Sequence, residues 1–161
     1  GQQPMHPAHH YRIHLWDGEK DESAIRAVPS ASKSGQSSPG VAHQWHMAGH
    51  TFNKLKRYPD MAWQQEASVR VDNSQLMADR LLPDHIHNYA HNSEWLVQTY
   101  NYIGQINRAV DLCVNMIEMP HWQNIQVKAP HPSIRIPRTP GLCARAKCSK
   151  FRKTFMNPSK T

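Results

Sequence analysis

HIHNYAHNSEWLVQTYNYIGQINRAVDLCVNMIEMP, residues 85–120, decides the fold. Read as one helix over 85–103, a turn at Gly104 and a second helix over 107–119 stopped by Pro120, it is a helical hairpin. Asp84 stands where an N-cap belongs. Working backwards from Leu82-Pro83-Asp84, the preceding text gives a second hairpin with helices over 42–55 and 60–78 and a turn from Lys56 to Pro59. Proline suits the start of a helix, where its missing N–H costs nothing. A first hairpin is weaker: AHHYRIHLW at 8–16 has helical spacing, Asp17-Gly18 breaks it, and a short second helix over 21–28 ends at Pro29. SASKSGQSSPG at 30–40 reads as loop by composition.

The fold class expected is therefore all-α, three helical hairpins in about 115 residues, each hiding an apolar face against the next. Taking Ala24, Met61 and Ala109 as equivalent gives steps of 37 and 48 residues, so the repeat is irregular. Trp16, Trp45, Phe52, Trp63, Trp95 and Tyr100 are expected to fill the space between helices, since large rings dominate small cores.

Charge divides the chain at the end of the last helix. Residues 1–118 carry ten Lys/Arg and all twelve acidic residues, a balance of −2, whereas the remainder carries nine Lys/Arg and no acid. Residues 1–120 are accordingly read as the helical-repeat domain, and 121–161, with Pro130, Pro132, Pro137, Pro140 and Pro158 among basic residues, as an extended or disordered tail. Any nucleic-acid binding belongs to that tail, where Arg145, Lys147, Lys150, Arg152 and Lys153 surround Phe151 and Phe155. Three cysteines, Cys113, Cys143 and Cys148, form neither a disulfide framework nor a Cys-x-x-Cys motif. No apolar run is long enough for a membrane span, and no secretion signal is evident. The opening at Gly1 reads as a piece of something longer, with no indication of compartment.

Ten of the twelve histidines lie in residues 6–91. His10 and His14, His46 and His50, and His87 and His91 form i, i+4 pairs on the first helix of each hairpin, with His6 and His43 extending two of them. Residues at this spacing share a helix face. The first reading is structural: each ring hydrogen-bonds a neighbouring helix and orients its hairpin. The second is that these six residues hold zinc, copper or nickel, since neutral imidazoles suit borderline metals. Convergence of three nitrogens from different pairs would favour metal; separate hydrogen bonds would favour scaffold. No His-Glu-x-x-His, Gly-x-Ser-x-Gly or phosphate loop is present, so no enzyme chemistry is expected.

Leu96, Tyr100, Gly104, Ala109 and Pro120, and in the second hairpin Trp45, Gly49, Phe52 and Tyr58, fall at spacings that resemble the tetratricopeptide pattern. With Met5-His6-Pro7, His10-Tyr11-x-Ile13-His14, Ala42-His43-x-Trp45-His46-Met47-x-Gly49-His50, Leu55-x-Arg57-Tyr58 and Ile86-His87-Asn88-Tyr89-x-His91-Asn92, residues 4–122 resemble a bacterial group of tetratricopeptide-like proteins. The resemblance implies stacked hairpins and, in some members, attachment to a thioredoxin-like domain. The function expected first is a protein- or peptide-binding module without a cofactor, with Tyr11, Trp45, Phe52, Asn88, Asn92 and Tyr100 as contacts. A histidine-based transition-metal-binding protein or metalloenzyme fragment is the alternative, and nucleic-acid binding through the tail the third.

Overall fold

The computed structural model describes residues 5–120; the tail, with its two cysteines and its basic cluster, lies outside the described residues. Six α-helices follow in order: α1 His9–Asp17, α2 Val28–Ser37, α3 Ala42–Lys54, α4 Tyr58–Asp79, α5 His87–Tyr102 and α6 Ile106–Glu118. Two 3-10 turns, Asp21–Ala27 and Pro83–His85, precede α2 and α5. There is no strand among the described residues. Each helix packs on its neighbours in the chain, and α3 also meets α1 and α5. The odd-numbered helices therefore lie side by side. No helix among the described residues is long and apolar enough to cross a membrane.

Three helices end in the same way. Arg57 N–H bonds the Phe52 carbonyl at 2.9 Å, Gln105 N–H the Tyr100 carbonyl at 2.8 Å and Leu81 N–H the Leu76 carbonyl at 3.0 Å. In each, the residue just before the donor is left-handed: Lys56 at φ 55°, Gly104 at φ 75° and Arg80 at φ 52°. This six-to-one closure satisfies carbonyls that the end of a helix leaves without partners. It turns α3 back into α4 and α5 back into α6, so Phe52 and Tyr100 are equivalent positions 48 residues apart.

The first hairpin differs from expectation. Residues 30–37 are helical, and Pro29 sits in the first turn of α2 rather than ending a helix. Its small residues make this possible: Ser30, Ala31, Ser34 and Gly35 are buried, and the indole of Trp45 lies on Gly35, where any Cβ would collide with the ring. The second helix of the first hairpin is thus α2, and Ala24 belongs to the 3-10 turn that leads into it. Asp84 also lies within a 3-10 turn, and α5 is instead preceded by Ile86.

Two apolar clusters hold the stack. Ile13, Ala31, Met47, Ala48, Phe52 and Met61 join α1 to α4; Val69, Leu76, Tyr89, Leu96, Tyr100 and Ala109 join α4 to α6. Trp63, expected inside, is 64% exposed. Between the helices runs a polar interior: Gln65, Ser68, Asp72, Asn92, Ser93 and Thr99 are each at most 2% exposed. Ser68 Oγ donates to the Ala42 carbonyl at 2.9 Å and Asn92 Nδ2 to Asp72 at 2.6 Å, so much of this polarity locks helix to helix.

Candidate metal centre

Histidines from α1, α3 and α5 converge where those helices meet. His46, His50 and His91 form one triad, and His10, His14 and His43 a second; within each, one nitrogen per ring lies within 4.8 Å of the others. In the first triad the Nε2 atoms face one another, His46 to His50 at 2.9 Å and His46 to His91 at 3.1 Å across helices. Four of the six residues singled out as possible ligands within the described chain, His10, His14, His46 and His50, keep their i, i+4 partners. The third pair divides. His91 reaches the α3 triad, whereas His87, at the first residue of α5, stays exposed and in neither triad. His43, which extends the α3 pair by one turn, takes the vacant role.

The hydrogen bonds on the far side of the rings fix which nitrogen carries the proton. The amide of Gln65 donates through Nε2 to the His46 carbonyl at 3.3 Å and so presents Oε1 to His46 Nδ1 at 3.0 Å. An oxygen acceptor there requires Nδ1 to be the donor. Asp17 does the same for His50, its Oδ2 lying 3.2 Å from Nδ1. Both rings therefore carry hydrogen on Nδ1 and a lone pair on Nε2, and those two lone pairs face each other at 2.9 Å. Neutral rings cannot hydrogen-bond in that arrangement; they need a shared proton or a cation.

Protonation is disfavoured. Burial, then the neighbouring His50, holds His46 down to about 3, and burial lowers His50 despite the opposing pull of Asp17. His91 is lowered by burial, partly countered by Glu94. A metal ion answers the same demand, since tetrahedral zinc on imidazoles sets its ligand nitrogens about 3.3 Å apart. The pattern of acceptor, Nδ1–H and ligating Nε2 is the usual outer support of a metal-bound histidine.

Gly49 and Trp95 complete the surroundings. A Cβ on Gly49 would strike the Gln65 amide, so glycine is what lets that amide lie against α3 beneath His46. Trp95, one turn beyond His91, stacks on His50 with ring centroids 4.2 Å apart and meets His46 edge-on at 5.2 Å. His46 is buried, His50 half-buried and His91 exposed, so the triad opens to solvent on the α5 side.

The second triad is held differently. His14 Nε2 and His10 Nε2 are 3.0 Å apart, and His43 lies 4.9 Å from His10, centroid to centroid. His10 is pushed down to about 4 by burial and then by His14. Among the described residues, the buried Nδ1 atoms of His10 and His43 have no hydrogen-bond partner. His6 instead accepts the Ala8 N–H through Nδ1.

The expected partner contacts differ in exposure. Tyr11 is 76% exposed, whereas Phe52, Asn92 and Tyr100 are buried. Asn92 is engaged with Asp72 and Tyr100 donates to Glu66 at 2.9 Å; Trp45 and Asn88 are half-buried. Three of the six therefore lie inside the helical stack. The pairs in the sequence pointed to most of the histidines, but nothing in it marked Asp17, Gln65 or Gly49 as their supports. Trp95 had a signal that could have been used, its four-residue offset from His91.

No protein-family model matches the chain, and comparisons with curated proteins and with solved structures found no match.

Proposed function

We propose that this chain is a transition-metal-binding helical protein whose primary site is His46, His50 and His91. The observation that carries the reading is the facing of Nε2 lone pairs, 2.9 Å apart, on rings whose Nδ1 atoms are committed to Gln65 and Asp17. Three neutral imidazoles and no carboxylate in the donor set favour zinc, copper or nickel over magnesium or calcium. Three ligands rather than four leave a position for water or another small ligand, as in catalytic and transport sites rather than closed structural ones.

The test is metal content and affinity. Purified chain stripped with chelator is expected to take up zinc(II) or copper(II), with quenching of Trp95 by copper, and His46→Ala with His50→Ala to abolish uptake at this site. Retention of full uptake in that double variant, with circular dichroism showing the helices intact, would refute the assignment.

A second reading, a helical-repeat module of tetratricopeptide-like type that binds a protein segment, is supported by the shared turn geometry of α3–α4 and α5–α6. Tyr11 and Leu15, one turn apart on α1 and 76% and 65% exposed, are the apolar pair it would use. Peptide-array binding lost on Tyr11→Ala and Leu15→Ala is the expected outcome; no captured peptide, or capture indifferent to both changes, counts against it.

A further inference from the structure

Beside the primary site the molecule holds a second set of the same chemistry, and one helix joins them. His43 and His46 are one turn apart on α3, with rings stacked at 5.9 Å and 22° between planes. Each belongs to a different triad. His43 also meets His10 at 4.9 Å and His14 at 6.3 Å, while His46 meets His50 at 4.7 Å and His91 at 4.6 Å. An unbroken chain of imidazoles thus runs from α1 across α3 to α5.

We infer that His10, His14 and His43 form a second transition-metal site, paired with His46, His50 and His91 through the stacked His43 and His46 rings into one two-metal centre. The inference rests on the metal-binding reading of the primary site. Its two halves are unequal. The primary triad has Asp17 and Gln65 behind its rings, while the buried Nδ1 atoms of His10 and His43 have no partner among the described residues. Outer support of that kind raises affinity by 10- to 100-fold, so the primary triad fills first.

Charge adds a second consequence. An imidazole that binds a metal through its lone pair adds no charge to set against the ion, and Asp17 is a single carboxylate against one ligand ring, so two divalent ions would leave a positive excess in a half-buried place. Such an excess is costly, and a small inorganic anion relieves it. Each triad has one exposed member, His14 and His91, so that anion can enter from water. Hydroxide, azide or phosphate fit the requirement, which is compactness and negative charge.

Copper(II) titration of the full chain, followed by electron paramagnetic resonance, tests this. One equivalent is expected to give the signal of an isolated ion, and a second equivalent to broaden it by dipolar coupling between neighbouring ions. Azide is expected to add a charge-transfer band and to tighten the second step at least tenfold. His10→Ala with His14→Ala should bind one equivalent, unbroadened, at the wild-type affinity of the first step; His43→Gln gives the same readout should that double variant not fold. Uptake of a single equivalent by the wild type, or of two with magnetically isolated signals, overturns the paired centre and leaves the primary site standing. Absence of any uptake overturns both.

Discussion

Replacing Asp17 by Asn removes one negative charge from behind His50 while keeping an oxygen to accept its Nδ1–H. The carboxylate lies 3.2 Å from Nδ1, which places it about 7 Å from an ion bound at Nε2, across the width of the ring. A unit negative charge and a dication at that distance attract by roughly 1–2.5 kcal/mol for effective dielectric constants of about 80 to 40, the range suited to a side chain a quarter exposed. Each 1.36 kcal/mol is about tenfold, so zinc affinity should fall roughly 5- to 70-fold, in line with other outer-shell carboxylates. Competition titration against a chromophoric chelator reads this directly. Asp21→Asn is the control: it removes the same charge from a position 70% exposed that touches Lys54 rather than a histidine. Equal affinities for wild type and Asp17→Asn, or an equal loss in Asp21→Asn, would refute the claim that Asp17 acts through His50.

Gly49→Ala should cost about 1–3 kcal/mol in urea denaturation and weaken metal binding with it, because the new methyl displaces the Gln65 amide that holds His46; a stable variant with unchanged affinity would contradict the role given to Gln65. Asn92→Ala should destabilise the chain by roughly 1–3 kcal/mol by leaving the buried Asp72 carboxylate without its donor, with metal stoichiometry unchanged; the two readouts moving together would tie Asn92 to the site instead. The metal-free chain should lose stability as pH falls from about 6.5 towards 3. His46 takes up a proton in the unfolded chain near 6.5 but only at about 3 when folded, so acid favours unfolding across that window. Asp72, raised by burial, works in the opposite sense, and His46→Gln should flatten the profile measured by thermal melts.

The second and third hairpins were legible in the sequence because their punctuation is physical. Gly104 takes a left-handed conformation at the turn, Pro59 sits in the first turn of α4, and Pro120 follows the end of α6. α2 was not legible, since SASKSGQSS has no apolar period and reads as loop; its helix depends on tertiary contact, small side chains seating Trp45 and α3. The histidine pairs announced a site on the odd-numbered helices but not its grouping. That grouping depends on where α5 crosses α3, which brings His91 to His46 and leaves His87 a turn away. Asp17 and Gln65 were invisible for the same reason, Asp17 being 33 positions from His50 and Gln65 19 positions from His46 in the chain.

His46 and His91 are 45 residues apart, so an ion on the proposed primary triad would act as a cross-link between the second and third hairpins. Those hairpins also share the α4–α5 interface, and the turn from Arg80 to Ile86 is the chain connection between them. A ligand that binds only the closed arrangement stabilises it by RT ln(1 + [M]/Kd), about 2.7 kcal/mol when free metal is at 100 times Kd. Opening between the hairpins, and with it cutting by protease at that turn, would then be suppressed roughly a hundredfold, so the rate of proteolysis would report the metal supply around the protein.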